Sequence, residues 1–204
     1  MGFFITFEGG EGCGKSSQSK LLNSRLKKLA IPALLTYEPG GTDLGKSIKR
    51  LVKFSRISIS PLSELLLFNA SRAQLVKDVI KPALGKGTIV ICDRFADSTT
   101  AYQGYGRGLD MAIVTATNRT GTQGLTPDLT ILLDLPVEVG LARKTKEKPD
   151  RFQTQNLDFH RRVREGFLKL AKAEPQRWLV IDGTQSKEVI ARIIWQKVSK
   201  LFPR

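Results

Sequence analysis

Residues 9–16 read GGEGCGKS, matching the spacing G-x-x-x-x-G-K-[ST], between an apolar run, Phe3 to Glu8, and a helical pattern that begins near Lys15. Few short segments restrict a fold so strongly. A strand must deliver the chain to a glycine-rich bend whose backbone N–H groups converge on an anion. A helix must then leave the bend with its positive end aimed at the same point. In this cradle Gly9, Gly10, Glu11, Gly12, Cys13 and Gly14 shape the loop, Lys15 is expected to reach the β and γ phosphates of a nucleotide, and Ser16 to ligate Mg2+.

The rest of the chain alternates short apolar runs with amphipathic helical segments, which predicts a parallel sheet covered on both faces: a three-layer α/β/α fold with five parallel strands. Strands are expected at Phe3 to Phe7, Ala33 to Tyr37, Thr88 to Asp93, Leu129 to Asp134 and Trp178 to Asp182. Helices are expected at Ser16 to Leu29, Leu44 to Lys53 and Glu188 to Leu201. A longer helix follows Ser60, an N-cap with Pro61 at the first helical position, and ends before Gly85. Its residues Leu62, Leu65, Leu66, Phe68, Ala73, Val76 and Ile80 recur at helical spacing. No repeat or long linker divides the 204 residues, so one domain, 1–204, is expected. A chain of this size buries roughly 70% of its unfolded surface and needs no disulfide to hold a core.

Cys13 and Cys92 fit reduced thiols in a cytoplasmic protein. Met1 leads directly into the first strand, and no run of 18 apolar residues appears, so neither secretion nor a membrane span is expected. The net charge of +14 is compatible with nucleic acid, a membrane surface or small polyanions, and does not choose among them. Part of the excess is local, with ten Lys or Arg against four acids between Arg143 and Lys172. Arg161, Arg162 and Arg164 read as a solvated basic face, whereas Arg143 and Arg151 are placed to have a chemical role.

The run Ile89 to Asp93 is an apolar strand that ends in adjacent opposite charges, Asp93 and Arg94. Ligands of open parallel sheets collect at the carboxyl ends of strands. Asp93 would therefore stand beside the phosphate loop and support Mg2+, and the planar fork of Arg94 suits a phosphate monoester. The plainer alternative is a structural ion pair.

Together these features imply transfer between two phosphorylated nucleotides, and the chain resembles the bacterial thymidylate kinases. The resemblance rests on residues 7–16, Glu38-Pro39-Gly40-Gly41-Thr42, residues 67–74, residues 93–104, Pro127-Asp128 and Asp150-Arg151-Phe152, in family order and nearly end to end. It implies an adenylate-kinase type of P-loop fold with the first strand central, phosphorylation of dTMP to dTDP by ATP and Mg2+, a homodimer packed through helices, and a short mobile lid at about 143–153.

The resemblance also implies roles. Phe68 would stack on the pyrimidine while Arg72, one turn later, reaches O4 and rejects cytosine; for Phe68, ordinary core packing is the competing reading. Tyr102 would crowd C2′ of the sugar, with Thr99 and Gln103 defining the base pocket and Ser98, Glu38, Pro39 and Lys49 completing the dTMP side. Glu11 would approach the 3′-hydroxyl. Arg94 would grip the acceptor phosphate, and Arg151 would meet the transferring group, a duty that some relatives give to an arginine inside the loop where this chain has Gly12. Arg143 would lie against adenine, opposite Gly183 and Thr184. Tyr37, Lys49 and Gln153 depart from the common family residues, and Lys144, Lys146 and Lys148 stand where arginines are usual.

Two other readings stay open at this stage. A kinase for another nucleoside monophosphate or a deoxynucleoside would keep Lys15, Ser16 and Asp93 but not the Phe68 and Arg72 logic. A nucleic-acid-binding module with a phosphate-loop switch would draw on the charge, although no aromatic-studded basic surface or nucleic-acid motif accompanies it.

Overall fold

A strand covered on both faces excludes water from both alternating sets of side chains, so it reads as an unbroken apolar run. In the computed structural model, which describes residues 2–144 and 150–201, three strands have this character. They are β1 (Phe4–Glu8), β3 (Ile89–Asp93) and β4 (Leu129–Asp134), buried along all or nearly all of their length. The less buried β2 (Ala33–Tyr37) and β5 (Trp178–Asp182) form the edges. All five pair in parallel in the order β2-β3-β1-β4-β5, with β1 central as expected.

Alternation along β1 sorts the layers. Ile5 and Phe7 face a core closed by Leu22 and Leu26 of α1 (Lys15–Lys28) and by Ile190 and Ile194 of α9 (Lys187–Val198). Phe4 faces the opposite layer, built from α2 (Asp43–Phe54), α3 (Pro61–Leu75), α4 (Lys81–Gly85), α5 (Ala96–Thr99), α6 (Met111–Thr122) and α8 (Leu157–Ala173). The short α7 (Val137–Ala142) packs on the phosphate loop through Gly140, whose Cβ position lies 2.2 Å from the Glu11 carbonyl oxygen.

The Ser60 cap forms as read, its Oγ accepting from Ser63 N–H at 3.2 Å. The helix that follows is not uniform: a π turn at Val76–Ile80 separates α3 from α4. Its stripe is not wholly internal either, since Leu62 and Leu66 are 46% and 53% exposed. A second π turn, Thr100–Gly106, continues α5 and carries Tyr102 and Gln103. The closing helix ends at Val198, and a 3-10 turn covers Ser199–Leu201.

The supposed basic face of α8 is partly an ion-pair surface. Arg164 places its fork on Asp134 at 2.7 and 2.8 Å, Arg161 pairs with Glu138 at 2.9 Å, and Arg162 donates to the Gly106 carbonyl at 2.9 Å. Cys13 and Cys92 are buried and free. Among the described residues no helix is long and apolar enough to cross a membrane.

Candidate active site

β1 ends at Glu8, and the chain bends through Gly9 at φ 138°, Gly12 at φ 64° and Gly14 at φ 97° before α1 begins. A Cβ at Gly12 would lie 2.0 Å from the Gly140 carbonyl oxygen. The loop is therefore locked against α7, and an arginine at this position would not fit without moving that helix. Lys15 is buried and donates to the carbonyls of Gly9 and Gly10 at 3.0 and 2.7 Å and to Cys13 Sγ at 3.3 Å, so its charge is held at the cradle.

Ser16 Oγ donates to Asp93 Oδ2 across the β1–β3 pair. Two hard oxygen donors thus stand together beside the loop. Among the described residues no group of three or more His, Cys, Asp or Glu side chains could hold a metal by itself. A single carboxylate and a hydroxyl suit Mg2+, which keeps water and phosphate oxygens as most of its ligands.

Arg94 follows β3 with φ 73°, a left-handed conformation that costs a branched-out side chain about 1–3 kcal/mol. Two backbone contacts hold it there: its N–H donates to the Phe7 carbonyl at 3.0 Å, and the next N–H, of Phe95, donates to Glu8 Oε1 at 2.7 Å. The strain aims the guanidinium back over the loop, where it donates to the Gly9 carbonyl at 3.2 Å, Ser98 Oγ at 3.0 Å, Glu11 Oε1 at 3.0 Å and Tyr102 Oη at 3.1 Å. Burial disfavours charge on Glu11, but the Arg94, Lys15 and Lys53 cations outweigh it and hold the carboxyl down at about 2. Glu8 has the opposite fate. Burial, reinforced by Asp97, pushes it up to about 8 despite the hydrogen bonds from Ser98 and Phe95.

Two adjoining clefts open at the carboxyl ends of the strands. The wider one runs along the phosphate loop and is walled by Lys15, Ser16, Lys49, Asp93, Arg143 and Lys144. The smaller one is lined by Phe68, Arg72, Phe95, Ser98, Thr99, Tyr102, Gln103 and Phe152. Glu11, Glu38, Pro39, Lys53 and Arg94 border both, so Arg94 stands at the junction. Nearly every residue expected on the acceptor side thus lines the smaller cleft, with Lys49 on the loop side, its ammonium 4.8 Å from the centre of the Tyr37 ring.

Arg72 is 1% exposed and fully engaged. Nε donates to Glu38 Oε2 at 2.9 Å, Nη1 to Asn69 and Asn118 at 2.9 and 3.1 Å, and Nη2 to Thr99 Oγ1 and the Phe95 carbonyl at 2.8 and 3.2 Å. Glu38 Oε1 is buried with no partner among the described residues, and burial, only partly offset by Arg72, pushes its carboxyl up to about 7.

The residues expected around the donor are less evenly gathered. Arg143, at the end of α7, donates to the Gly12 carbonyl at 3.4 Å and so lies against the loop. Gly183 docks on Asp134 through a 2.6 Å backbone bond, and Thr184 caps Asp182, so both sit beyond the ends of β4 and β5 and line neither cleft. Arg151 is not at the phosphate loop. Its Nη2 donates to the fully buried Glu64 at 2.7 Å, and its backbone N–H to the Lys53 carbonyl at 3.1 Å. Of the expected lid, residues 145–149, including Lys146 and Lys148, lie outside the described residues.

Four contributors escaped the sequence reading. Lys53 borders both clefts and pairs with Asp150 at 2.9 Å, and Phe152 walls the base side, 5.8 Å from Phe68 between ring centres. Both were findable: Lys53 follows Lys49 by one helical turn, and Phe152 belongs to a motif already singled out. Glu8 also lies in a segment already singled out, residues 7–16, but its burial was not signalled, and Glu64 carried no signal at all, because a carboxylate at a strand end or in a first helical turn ordinarily faces water.

The parallel sheet, the loop with its lysine, and the hydroxyl–carboxylate pair beside it define a P-loop nucleotide-binding enzyme. The profile described as thymidylate kinase matches residues 7–194. A thymidylate kinase of Dehalococcoides mccartyi is 55% identical over 203 residues, 99% of this chain and 98% of the relative, and one of Deinococcus radiodurans is 49% identical over 98% of each. The crystal structure of thymidylate kinase from Ehrlichia chaffeensis superposes with a TM-score of 0.80 at 36% identity, covering 97% of this chain and 98% of that one. The chain belongs to the thymidylate kinase family.

Proposed function

We propose that this chain transfers the terminal phosphate of ATP to dTMP, giving dTDP, with Mg2+ as cofactor. The observation that carries the reading is the shared wall of the two clefts: a phosphate cradle and an aromatic-lined pocket meet at one strained arginine. The triphosphate lies along the loop and the pyrimidine nucleotide enters the aromatic-lined cleft, with its phosphate at Arg94.

Such transfers need positioning and cations more than covalent help. Lys15 exchanges the Gly9 and Gly10 carbonyls for phosphate oxygens. Ser16 and Asp93 would hold Mg2+, which would supply further charge neutralisation. Glu11, kept ionised beside Arg94, accepts from the sugar 3′-hydroxyl, and Tyr102 fills the space at C2′. Arg143 covers the donor side near adenine, and Gly183 and Thr184, which line neither cleft, would meet the base only beyond the cleft's edge. Arg151 reaches the transferring phosphate only by leaving Glu64, exchanging one charge-assisted contact for another.

Turnover of dTMP, dUMP, dCMP, UMP and AMP with ATP and Mg2+ tests the reading. The expected order puts dTMP first, and a preference for dCMP or AMP overturns it. The buried free thiols support a cytoplasmic setting, which cell fractionation checks. The exposed Leu62 and Leu66 of α3 and Ile113 of α6 support a homodimer packed through these helices. Sedimentation equilibrium at micromolar chain concentration should give twice the chain mass, and a monomer there removes the proposal.

A further inference from the structure

Glu64 sits in the first turn of α3, fully buried, with every acceptor position of its carboxylate taken. Arg107 lays its fork on both oxygens at 3.2 Å each, Arg151 donates to Oε2 at 2.7 Å, and Gln103 Nε2 donates to Oε1 at 2.8 Å. A carboxylate between two guanidinium groups can only accept, so the Gln103 amide has to turn its nitrogen inward. Its Oε1, which receives no hydrogen bond among the described residues, is left for the cleft that Gln103 lines.

We infer that Glu64 is a positioning residue for base recognition, fixing the Gln103 amide so that the pocket presents an acceptor to N3 of the pyrimidine. Thymine and uracil carry a hydrogen at N3, and cytosine carries a lone pair. With Arg72 fully engaged by protein acceptors, Gln103 Oε1 and Glu38 Oε1 are acceptors of this cleft that receive no hydrogen bond among the described residues, and of the two Gln103 is the one that Glu64 orients. This inference rests on the pocket taking a pyrimidine monophosphate, as proposed above.

Glu64→Gln tests it with little change of shape. The new amide directs its oxygen to Arg107 Nη2 and Arg151 Nη2 at the Oε2 side and its NH2 group toward Gln103, giving up the 3.2 Å contact from Arg107 Nε, and the Gln103 amide then flips and offers a donor to the base. The ratio of kcat/KM for dTMP over dCMP should fall about 10- to 100-fold, with most of the change in KM. Adding Gln103→Glu restores an acceptor on both sides of residue 103 and should return the ratio to within about threefold of wild type. A purely structural role for Glu64 would not be rescued this way. An unchanged ratio in Glu64→Gln, or a lost ratio that the double variant fails to restore, overturns the inference. Wild-type enzyme supplies a further check that does not depend on folding of a variant. The NMR signals of the Gln103 Nε2 protons should stay in place on saturation with dTMP, and a large movement would mean that the nitrogen meets the base. Inactivity of the wild type on dTMP would instead sink the functional reading itself.

Discussion

Glu8 offers a quantitative test of how the Arg94 corner is held. The carboxyl is fully buried, accepts from Phe95 N–H at 2.7 Å and meets Ser98 Oγ at 2.5 Å, and burial together with Asp97 raises it from 4.5 to about 8. Near neutrality the folded state therefore carries the neutral acid, while the unfolded chain carries the carboxylate. A raised folded value gives stability that is complete below about pH 4.5 and is lost as pH rises through about 8. At about 1.4 kcal/mol per unit, the full loss is about 5 kcal/mol, of which about 2.5 kcal/mol falls between pH 5 and pH 7. Glu8→Gln keeps an acceptor for Phe95 and gives Ser98 a donor in the same volume, without the titration. Urea unfolding of both proteins from pH 5 to pH 9 should show the variant gaining on wild type by these amounts, because every other titrating group, Glu38 included, is common to both. Parallel stability curves, differing by less than about 1 kcal/mol across that range, would mean that Glu8 is ionised in the fold and would refute the reasoning.

Arg151→Ala should lower kcat by about two to three orders of magnitude if that arginine leaves Glu64 for the transferring phosphate, with the melting temperature little changed because Arg107 still neutralises Glu64. An unchanged kcat in steady-state assays would confine Arg151 to its Glu64 contact. Arg94→Lys keeps the charge but loses a fork that reaches Ser98, Glu11 and Tyr102 together, so KM for dTMP should rise by about 10-fold or more; equal KM values would remove Arg94 from the acceptor phosphate.

The features legible in the sequence were those that one short segment encodes alone. The apolar run at 129–134 coincides with the covered β4, which declares itself by composition, and the runs at 33–37 and 178–182 coincide with the edge strands β2 and β5, apolar enough to be read although less buried. The loop, Ser60 and the end of the third strand were legible for the same reason. What stayed hidden was the choice of partner. Arg151 reads as a lid cation, yet its contact with Glu64 spans 87 positions of sequence, and nothing near either residue announces the other. The π turn at Thr100–Gly106 is equally silent, although it sets where Tyr102 and Gln103 point.

The charge of +14, ambiguous as a number, acquires meaning from its placement. Lys15, Lys49, Lys53, Arg94, Arg143 and Lys144 all wall the loop-side cleft, against Glu11, Glu38 and Asp93. Lys49 registers the crowding: burial, and then the neighbouring Lys53, lower its pKa. Cations gathered along one cleft repel one another, and a nucleotide phosphate relieves that repulsion as it binds. Part of the binding free energy is thus stored in the protein before the ligand arrives. Away from the cleft, part of the positive charge is neutralised locally, in ion pairs such as Arg161 with Glu138 and Arg164 with Asp134. The loop-side cleft thus carries a local excess of positive charge at the phosphate loop, within a net charge of +14 that is spread over the whole chain.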